Sequence, residues 1–144
     1  MVDKTGEIKR VLILCTGNSC RSQMAEAIIN DRLVDSWQAE SAGTDPSGYV
    51  HPMAIQALNE IGIYHTGNSK NISELPDTNF DLVITVCDDA AENCPLWLGK
   101  GDKQHISFPD PAAAEGSEAE IMEVFRAVRE DIAKRVLDSL ISYS

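Results

Sequence analysis

The chain has 144 residues, of which 12 are Lys or Arg and 23 are Asp or Glu, so its formal net charge is −11. The length fits one domain, residues 1–144, and the hydrophobic content of 43% argues against disorder. The negative charge disfavours nucleic acid and anionic membranes as partners, because both would repel the chain. No apolar run approaches the roughly 20 residues of a membrane helix, and the polar N-terminal segment does not resemble a signal peptide. We therefore expect a soluble, cytoplasmic monomer.

The apolar pattern alternates between strand and helix along the chain. Short continuous apolar runs predict buried strands, whereas apolar residues recurring every three or four positions predict helices. Alternation of this kind implies an α/β fold with a parallel sheet covered on both faces. The predicted elements are, in chain order, a strand at 11–14, a helix at 22–33, a strand at 37–42, a helix from His51-Pro52 to Gly62, a strand at 80–86, a strand at 105–108 and a helix that begins with a Ser117/Glu120 capping box.

The sharpest feature is the loop CTGNSCRS at residues 15–22, between the first strand and the first helix. It lies at the carboxyl end of a strand, where open α/β folds bind ligands. A loop of small residues lets its backbone N–H groups converge on a tetrahedral anion, and the helix N-terminus adds partial positive charge. The loop therefore predicts an oxyanion site. Its candidate anion-binding residues are Thr16, Gly17, Asn18, Ser19, Cys20, Arg21 and Ser22.

Cys15, at the head of this loop, is the candidate nucleophile. Arg21 offers a planar fork of donors suited to an oxyanion, and Ser22 can donate a hydrogen bond to a thiolate. Positive surroundings of this kind stabilise the thiolate form of a cysteine. The alternative is a plain strand-to-helix turn with buried cysteines, since Gly, Asn, Ser and buried Cys are all common in such turns.

The loop resembles the active-site loop of the low-molecular-weight protein tyrosine phosphatase superfamily, in which a cysteine is followed after five residues by Arg-Ser. More closely, residues 14–26 resemble the thioredoxin-coupled arsenate reductases of that fold, whereas the tyrosine phosphatases usually carry Pro where Gln23 stands. The segments at 41–44 and 51–52 also fit, so the resemblance covers almost the whole chain. It implies a single three-layer domain with a four-stranded parallel sheet flanked by helices.

Cys87 and Cys94 follow the strongest predicted strand. From the residues alone, each is most simply structural: a buried cysteine at a strand end and an incidental surface thiol. If residues 88–94 are helical, the two cysteines are separated by about 10.5 Å of rise, while a disulfide needs Cα atoms within about 7 Å. A bond between them would then unwind the helix and act as a redox switch. The resemblance implies more, because the arsenate reductases carry two relay cysteines at these positions in addition to Cys15.

Asp110 lies on a turn between Pro109 and Pro111. Displacing an oxygen from a tetrahedral oxyanion requires a proton, which a carboxyl group above the loop can supply. An Asp between prolines is by itself usually a turn residue, and the resemblance implies its role as the general acid. Ala112 stands where the phosphatases usually have an aromatic residue, which weakens the phosphatase alternative.

The four cysteines do not predict a zinc site. Four residues lie between the first two cysteines and six between the second two, whereas pairs of structural zinc ligands usually have two to four residues between them. In addition, Arg21 would repel a cation. For Cys20 we expect a packing role within the loop, and the alternative is a redox task such as protecting Cys15 from overoxidation. The three histidines, His51, His65 and His105, show no ligand spacing, and His51 is most simply a helix-start residue.

Potassium is a second metal alternative, since some arsenate reductases of this fold hold this ion near the loop. Asn18, Glu26 and Ser41 match part of that site, but Ile72 and Glu74 fit its remainder poorly. We therefore predict no bound metal or cofactor.

The resemblance implies reduction of arsenate to arsenite, for arsenic detoxification. In this hypothesis Cys15 attacks arsenate, Cys87 attacks Cys15, and Cys94 attacks Cys87. Thioredoxin is the expected reductant and glutaredoxin the alternative, while phosphate or sulfate would mimic the substrate. A tyrosine phosphatase that uses Cys15, Arg21 and Asp110 is the alternative enzyme, and weak phosphatase activity would accompany the reduction. A non-enzymatic thiol redox sensor is the second alternative.

Overall fold

The computed structural model describes residues 8–87, 99 and 101–143. Its centre is a parallel sheet of four strands in the order β2-β1-β3-β4. This confirms the predicted four-stranded parallel sheet flanked by helices. The elements are β1 (Lys9–Cys15), α1 (Arg21–Arg32), β2 (Trp37–Gly43), α2 (Pro52–Asn59), β3 (Leu82–Thr85), β4 (Asp102–His105) and α3 (Glu118–Ile141).

Both faces of β1 are buried over residues 11–15, as the continuous apolar run predicts. Val11 and Ile13 enter the larger core, which contains the apolar faces of α1, α2 and α3. Leu12 and Leu14 point to the other face and form a smaller core. Within the described residues, that smaller core is closed by the segment around a short 3-10 helix, Ile72–Glu74, while the three α-helices contact one another on the opposite face.

The helix ends follow the sequence signals. His51 caps α2, because its Nδ1 accepts a hydrogen bond from the Met53 N–H at 3.1 Å. Ser117 and Glu120 form the predicted capping box at the start of α3. Gly62 has a φ of +82°, the left-handed conformation that ends helical segments. None of the helices in the described part of the chain is long and apolar enough to cross a membrane.

The fourth strand was predicted at 105–108, and this position is wrong. β4 spans Asp102–His105 and all four of its residues are exposed, so it has no apolar pattern. The apolar residues that suggested a strand follow it instead: Ile106 packs against the larger core and Phe108 is fully buried. β4 is held in the sheet by backbone hydrogen bonds to β3, and such bonds leave no signal in the hydrophobic pattern of the sequence.

The sheet brings two cysteines together. Leu14 of β1 is in register with Thr85 of the neighbouring β3, and the Val86 N–H continues the pairing by donating to the Leu14 carbonyl oxygen at 2.9 Å. Cys15 and Cys87 therefore lie at the carboxyl ends of adjacent strands, with a Cα separation of roughly 6 Å from strand spacing and rise.

Candidate active site

The loop between β1 and α1 forms the floor of a cavity of about 320 Å³. Most of the predicted site residues line it, while Asn18 and Ser22 are fully buried. The lining residues are Cys15, Thr16, Gly17, Ser19, Cys20, Arg21, Asp45, Ser47, Asp110 and Ala112.

The Cys15 sulfur is surrounded by hydrogen-bond donors. The Asn18 N–H donates to Sγ at 3.3 Å, and the Ser22 Oγ lies 3.0 Å from Sγ. The Asn18 side-chain amide donates to the Ser22 Oγ at 2.9 Å, so the Ser22 hydroxyl can direct its own proton to the sulfur. These dipoles stabilise a thiolate and orient it toward the cavity.

Asn18 makes the sharp turn of the loop. Its φ is +47°, and among the described residues it is the one non-glycine residue with positive φ. Asn adopts this left-handed conformation more readily than most residues. The turn directs the Asn18 N–H back at Cys15, which closes the loop around the sulfur.

Four consecutive carbonyl groups of the loop, those of residues 16–19, accept hydrogen bonds from donors outside the loop. The C=O and N–H groups of one peptide unit point in opposite directions. When the C=O is bound on the side of the loop away from the cavity, the N–H is therefore turned toward the cavity. The donor and acceptor pairs are Asp45 N to Thr16 O at 3.0 Å, Ser47 N to Gly17 O at 2.9 Å, Gln23 Nε2 to Asn18 O at 3.1 Å and His51 N to Ser19 O at 3.1 Å.

Gly43, the last residue of β2, lets the loop pass close to the sheet. A Cβ at this position would lie 2.3 Å from the Thr16 carbonyl oxygen and 2.9 Å from that of Cys15. Both atoms belong to the backbone, so they cannot move aside without shifting the loop itself. Gly43 is therefore a steric requirement of the loop conformation.

Arg21 connects the loop to the turn that carries Asp110. Its side chain is 4% exposed, and Nη1 donates to the Phe108 carbonyl oxygen at 3.2 Å. Nη2 lies 3.9 Å from Oδ2 of Asp110. The other carboxylate oxygen, Oδ1, accepts from the Ala112 N–H at 3.0 Å and caps the 3-10 helix Pro111–Ala113. One oxygen of Asp110 is thus held by backbone while the second faces the cavity side.

Cys87 is fully buried in the same core as Cys15. It takes part in a disulfide, whereas Cys15 and Cys20 are free thiols. Cys94 and the predicted switch at residues 88–94 lie outside the described residues.

Cys20 lies beside Cys15 but in a different environment. It is 4% exposed, and burial, as the main cause, raises the pKa of its thiol to about 12. The nearby Asp110 carboxylate acts in the same direction. Cys20 therefore stays protonated at neutral pH and is a poor nucleophile.

Two of the oxygen atoms considered for potassium, Oε1 of Glu26 and Oδ1 of Asn18, accept hydrogen bonds from protein donors. The Ser41 hydroxyl donates to Oε1 of Glu26 at 2.6 Å, and the Lys70 N–H donates to Oδ1 of Asn18 at 2.8 Å. In the described ranges, no group of three or more His, Cys, Asp and Glu side chains is arranged to hold a metal ion.

Several residues that shape the site escaped the sequence reasoning. Gly43 and the backbone donors at 45–51 carry no local signal of this role. Gln23 stood out only as a departure from the phosphatase pattern, although its side chain lies directly beneath the loop.

Comparison with known proteins agrees with this geometry. The family profile described as low molecular weight phosphotyrosine protein phosphatase matches residues 10–141. An arsenate reductase of Bacillus licheniformis is 44% identical over 130 residues, which is 89% of this chain and 92% of the relative. The structure of an arsenate reductase in an oxidized state superposes with a TM-score of 0.76 at 30% identity, covering 95% of this chain and 100% of the other. That of the Archaeoglobus fulgidus arsenate reductase gives 0.70 at 29% identity, covering 88% and 98%.

Proposed function

The chain belongs to the low molecular weight phosphotyrosine protein phosphatase family, and within it the chain is 44% identical to an arsenate reductase. We therefore propose that it reduces arsenate to arsenite, with the Cys15 thiolate as the nucleophile. One observation carries the proposal. The Cys15 sulfur lies among donors at the floor of a cavity of about 320 Å³, and a second buried cysteine, Cys87, lies at the end of the adjacent strand.

Arsenate binding rests on the loop amides and on Arg21. The inward N–H groups of the loop suit a tetrahedral oxyanion, and Arg21, whose Nη1 also donates to the Phe108 carbonyl oxygen, adds positive charge beside them. The net charge of −11 opposes an anionic substrate at long range, so the affinity comes from these local contacts. Phosphate and sulfate have the same shape and charge and would bind as mimics.

In the first step the Cys15 thiolate attacks arsenic, and a sulfur–arsenic bond forms. One arsenate oxygen leaves as water, with its proton supplied by Asp110 from the rim of the cavity. Arg21 and the loop amides balance the charge on the remaining oxygens. Arsenic is still pentavalent at this stage.

Cys87 is disulfide-bonded in this structure, so an external dithiol must first reduce it to a free thiol. In the second step the Cys87 thiol loses its proton and its sulfur attacks the Cys15 sulfur. A Cys15–Cys87 disulfide forms, the sulfur–arsenic bond breaks, and its electron pair reduces arsenic to the trivalent state, which leaves as arsenite. The Cα separation of roughly 6 Å expected for these strand ends lies within the range of disulfides.

In the third step Cys94 attacks Cys87 and releases Cys15 as a thiol. The oxidation then resides in a Cys87–Cys94 disulfide, which an external dithiol reduces with two electrons and two protons. Thioredoxin is the proposed reductant, and no bound cofactor is required. The cycle needs a reducing compartment, so we place the protein in the cytoplasm, acting as a monomer with residues 1–144 as one reductase domain.

A coupled assay tests the proposal: arsenate-dependent oxidation of NADPH in the presence of thioredoxin and thioredoxin reductase. We expect turnover by the intact chain and its loss in Cys15→Ser, Cys87→Ser and Cys94→Ser. Reduction that survives loss of Cys87 would refute the relay. Replacing thioredoxin by glutathione and glutaredoxin separates the two candidate reductants.

Hydrolysis of an aryl phosphate serves as the internal control. Cys87→Ser and Cys94→Ser should keep any such activity, because Cys15, Arg21 and Asp110 remain in place. Aryl phosphate turnover without arsenate reduction would instead identify a phosphatase. If the chain showed neither activity, the non-enzymatic thiol redox sensor would be the remaining alternative.

A further inference from the structure

The Gln23 side chain is fully buried beneath the anion loop, in the first turn of α1. It does not line the cavity. Its Nε2 lies 3.1 Å from the backbone oxygen of Asn18, 3.1 Å from the Asn18 Oδ1 and 3.0 Å from the Asn68 carbonyl oxygen, so its two hydrogens are shared among three acceptors. Its Oε1 lies 2.7 Å from Nε2 of His65. Both ends of one amide group thus have partners on two separate segments.

The orientation of this amide is determined by its surroundings. The three neighbours of Nε2 are oxygen atoms, so a reversed amide would place oxygen against oxygen. Oε1 must then accept, and His65 must carry a proton on Nε2. Burial lowers the pKa of the His65 imidazole, with Lys70 acting in the same direction and Glu26 opposing it, so the neutral ring with its proton on Nε2 fits the contact.

Gly67 provides the space for this contact. A Cβ at Gly67 would lie 2.2 Å from Nε2 of His65 and 2.5 Å from Oε1 of Gln23. The chain therefore passes directly over the hydrogen bond between the two side chains. A larger residue at this position would displace the His65 ring, the Gln23 amide or both from their present positions.

Asn18 is the point at which the amide acts on the loop. Gln23 binds the backbone and the side-chain oxygen of Asn18 together, while the Asn18 N–H and Nδ2 reach Cys15 and Ser22. The positive φ of Asn18, +47°, is unfavourable for a residue with a Cβ unless its surroundings hold it. The Gln23 amide contributes to that hold from below, and of the groups that contact Asn18 Oδ1 it is the one that also binds the Asn18 backbone oxygen, while the Lys70 N–H donates to Oδ1 alone.

We propose that Gln23 is a positioning residue for oxyanion recognition, which keeps Asn18 in its left-handed conformation so that the loop amides converge before the anion arrives. The inference rests on the proposed role of the loop as an oxyanion site. Preorganised donors bind an anion better than donors that must be arranged at the moment of binding.

The test compares Gln23→Leu with Asn30→Leu. Asn30 lies on the same helix and also binds backbone with both ends of its amide, donating to the Ala39 oxygen at 3.1 Å and accepting from the Ala39 N–H at 2.8 Å. It is two turns away from the loop, at about 10 Å of helical rise. Both variants lose a structural amide, but only Gln23→Leu removes hydrogen bonds to Asn18.

The readout is protection of Cys15 from iodoacetamide by inorganic phosphate, followed by mass spectrometry of the reduced protein. We expect the phosphate concentration for half-protection to rise about tenfold in Gln23→Leu, as for loss of one well-placed hydrogen bond, and to stay within about twofold in Asn30→Leu. Thermal melting of both variants separates positioning from loss of stability. The inference would be overturned if phosphate protection weakened equally in Gln23→Leu and Asn30→Leu with an equal loss of Tm. It would also be overturned if protection in Gln23→Leu were unchanged.

Gly67→Ala is the second variant, in case Gln23→Leu does not fold. It retains every side chain of the site and displaces the contact between His65 and Gln23. Weaker phosphate protection is expected, and wild-type protection would overturn the inference. Phosphate protection does not depend on arsenate turnover, so a wild-type chain that binds phosphate but does not reduce arsenate would refute the proposed function and leave this inference standing.

Discussion

The Arg21 guanidinium donates to the carbonyl oxygen of Phe108 at 3.2 Å, so the cation of the anion loop is attached to the segment that leads into Asp110. The Phe108 side chain is fully buried, which makes its carbonyl a fixed anchor. One guanidinium nitrogen holds this anchor while the second faces Asp110 and the cavity. Binding of the anion and placement of the proposed acid therefore depend on the same side chain.

Arg21→Lys should lower kcat/KM for arsenate by about 100-fold, the usual loss for one oxyanion donor. An ammonium group is a compact point charge without the planar array of donors of a guanidinium. It cannot donate to the Phe108 carbonyl oxygen and bind an anion in a bidentate manner at the same time. The measurement is steady-state kinetics in the coupled assay. Circular dichroism should show the same fold, and near-normal kcat/KM in a folded variant would contradict the assigned role.

Gly43→Ala should destabilise the protein by about 3 kcal/mol, because the added Cβ meets backbone atoms of the loop. Chemical denaturation measures this loss, and phosphate protection of Cys15 should weaken with it. Gly62→Ala is the control, since its Cβ would meet nothing within 4 Å but would be strained by a φ of +82°. Gly62→Ala should lose some stability and keep phosphate binding. Equal phosphate binding in both variants would argue against a steric role for Gly43.

The two free thiols in the loop should react at different rates. Burial raises the pKa of Cys20 to about 12, so Cys20 should resist iodoacetamide at pH 7, while Cys15 is alkylated. Peptide mapping after a timed exposure of the reduced protein measures both. Faster modification of Cys20 than of Cys15 would reverse the assignment of the nucleophile.

Stability should respond to acid through Glu60. Hydrogen bonds from Arg126 and, to a lesser extent, Arg129 lower the pKa of the Glu60 carboxyl to about 2. Since the unfolded value is about 4.3, the ionised group stabilises the fold fully above that pH and loses this contribution as the pH falls towards 2. Glu60→Gln should therefore melt at a lower Tm at pH 7, with the difference shrinking between about pH 4.3 and pH 2.

The matched control for Glu60 is Glu123, which also pairs with Arg126 but has a side chain that is 72% exposed. Glu123→Gln should change Tm little at any pH, because solvent screens exposed pairs. A Glu60→Gln difference that stays constant across the acid range would assign the loss to packing between α2 and α3 instead of to charge.

Much of this structure follows from local patterns. The apolar run in β1, the Pro at the start of α2 and the Ser117 capping box each act on residues nearby in sequence, so the elements were predictable. The loop was predictable too, since its sequence alone combines a nucleophile, small residues and a cation.

What could not be predicted depends on distant partners. β4 is an exposed edge strand held by backbone bonds, which leave no mark in the apolar pattern. Gln23 and His65 meet across 42 positions, and Gly67 matters only because they meet. A single sequence offers no signal for such a contact, since each of these residues has many ordinary uses.

The outward-bound carbonyl groups of the loop make the folded state and the ligand interdependent. With the carbonyl groups of residues 16–19 held on the outside of the loop, N–H groups of the same peptide units are turned toward the cavity, which favours binding of an anion there. An oxyanion that binds only the folded chain adds RT ln(1 + [L]/Kd) to the free energy of unfolding. The melting temperature of this protein should therefore depend on the buffer anion, because phosphate or sulfate bound in the loop stabilises the folded state.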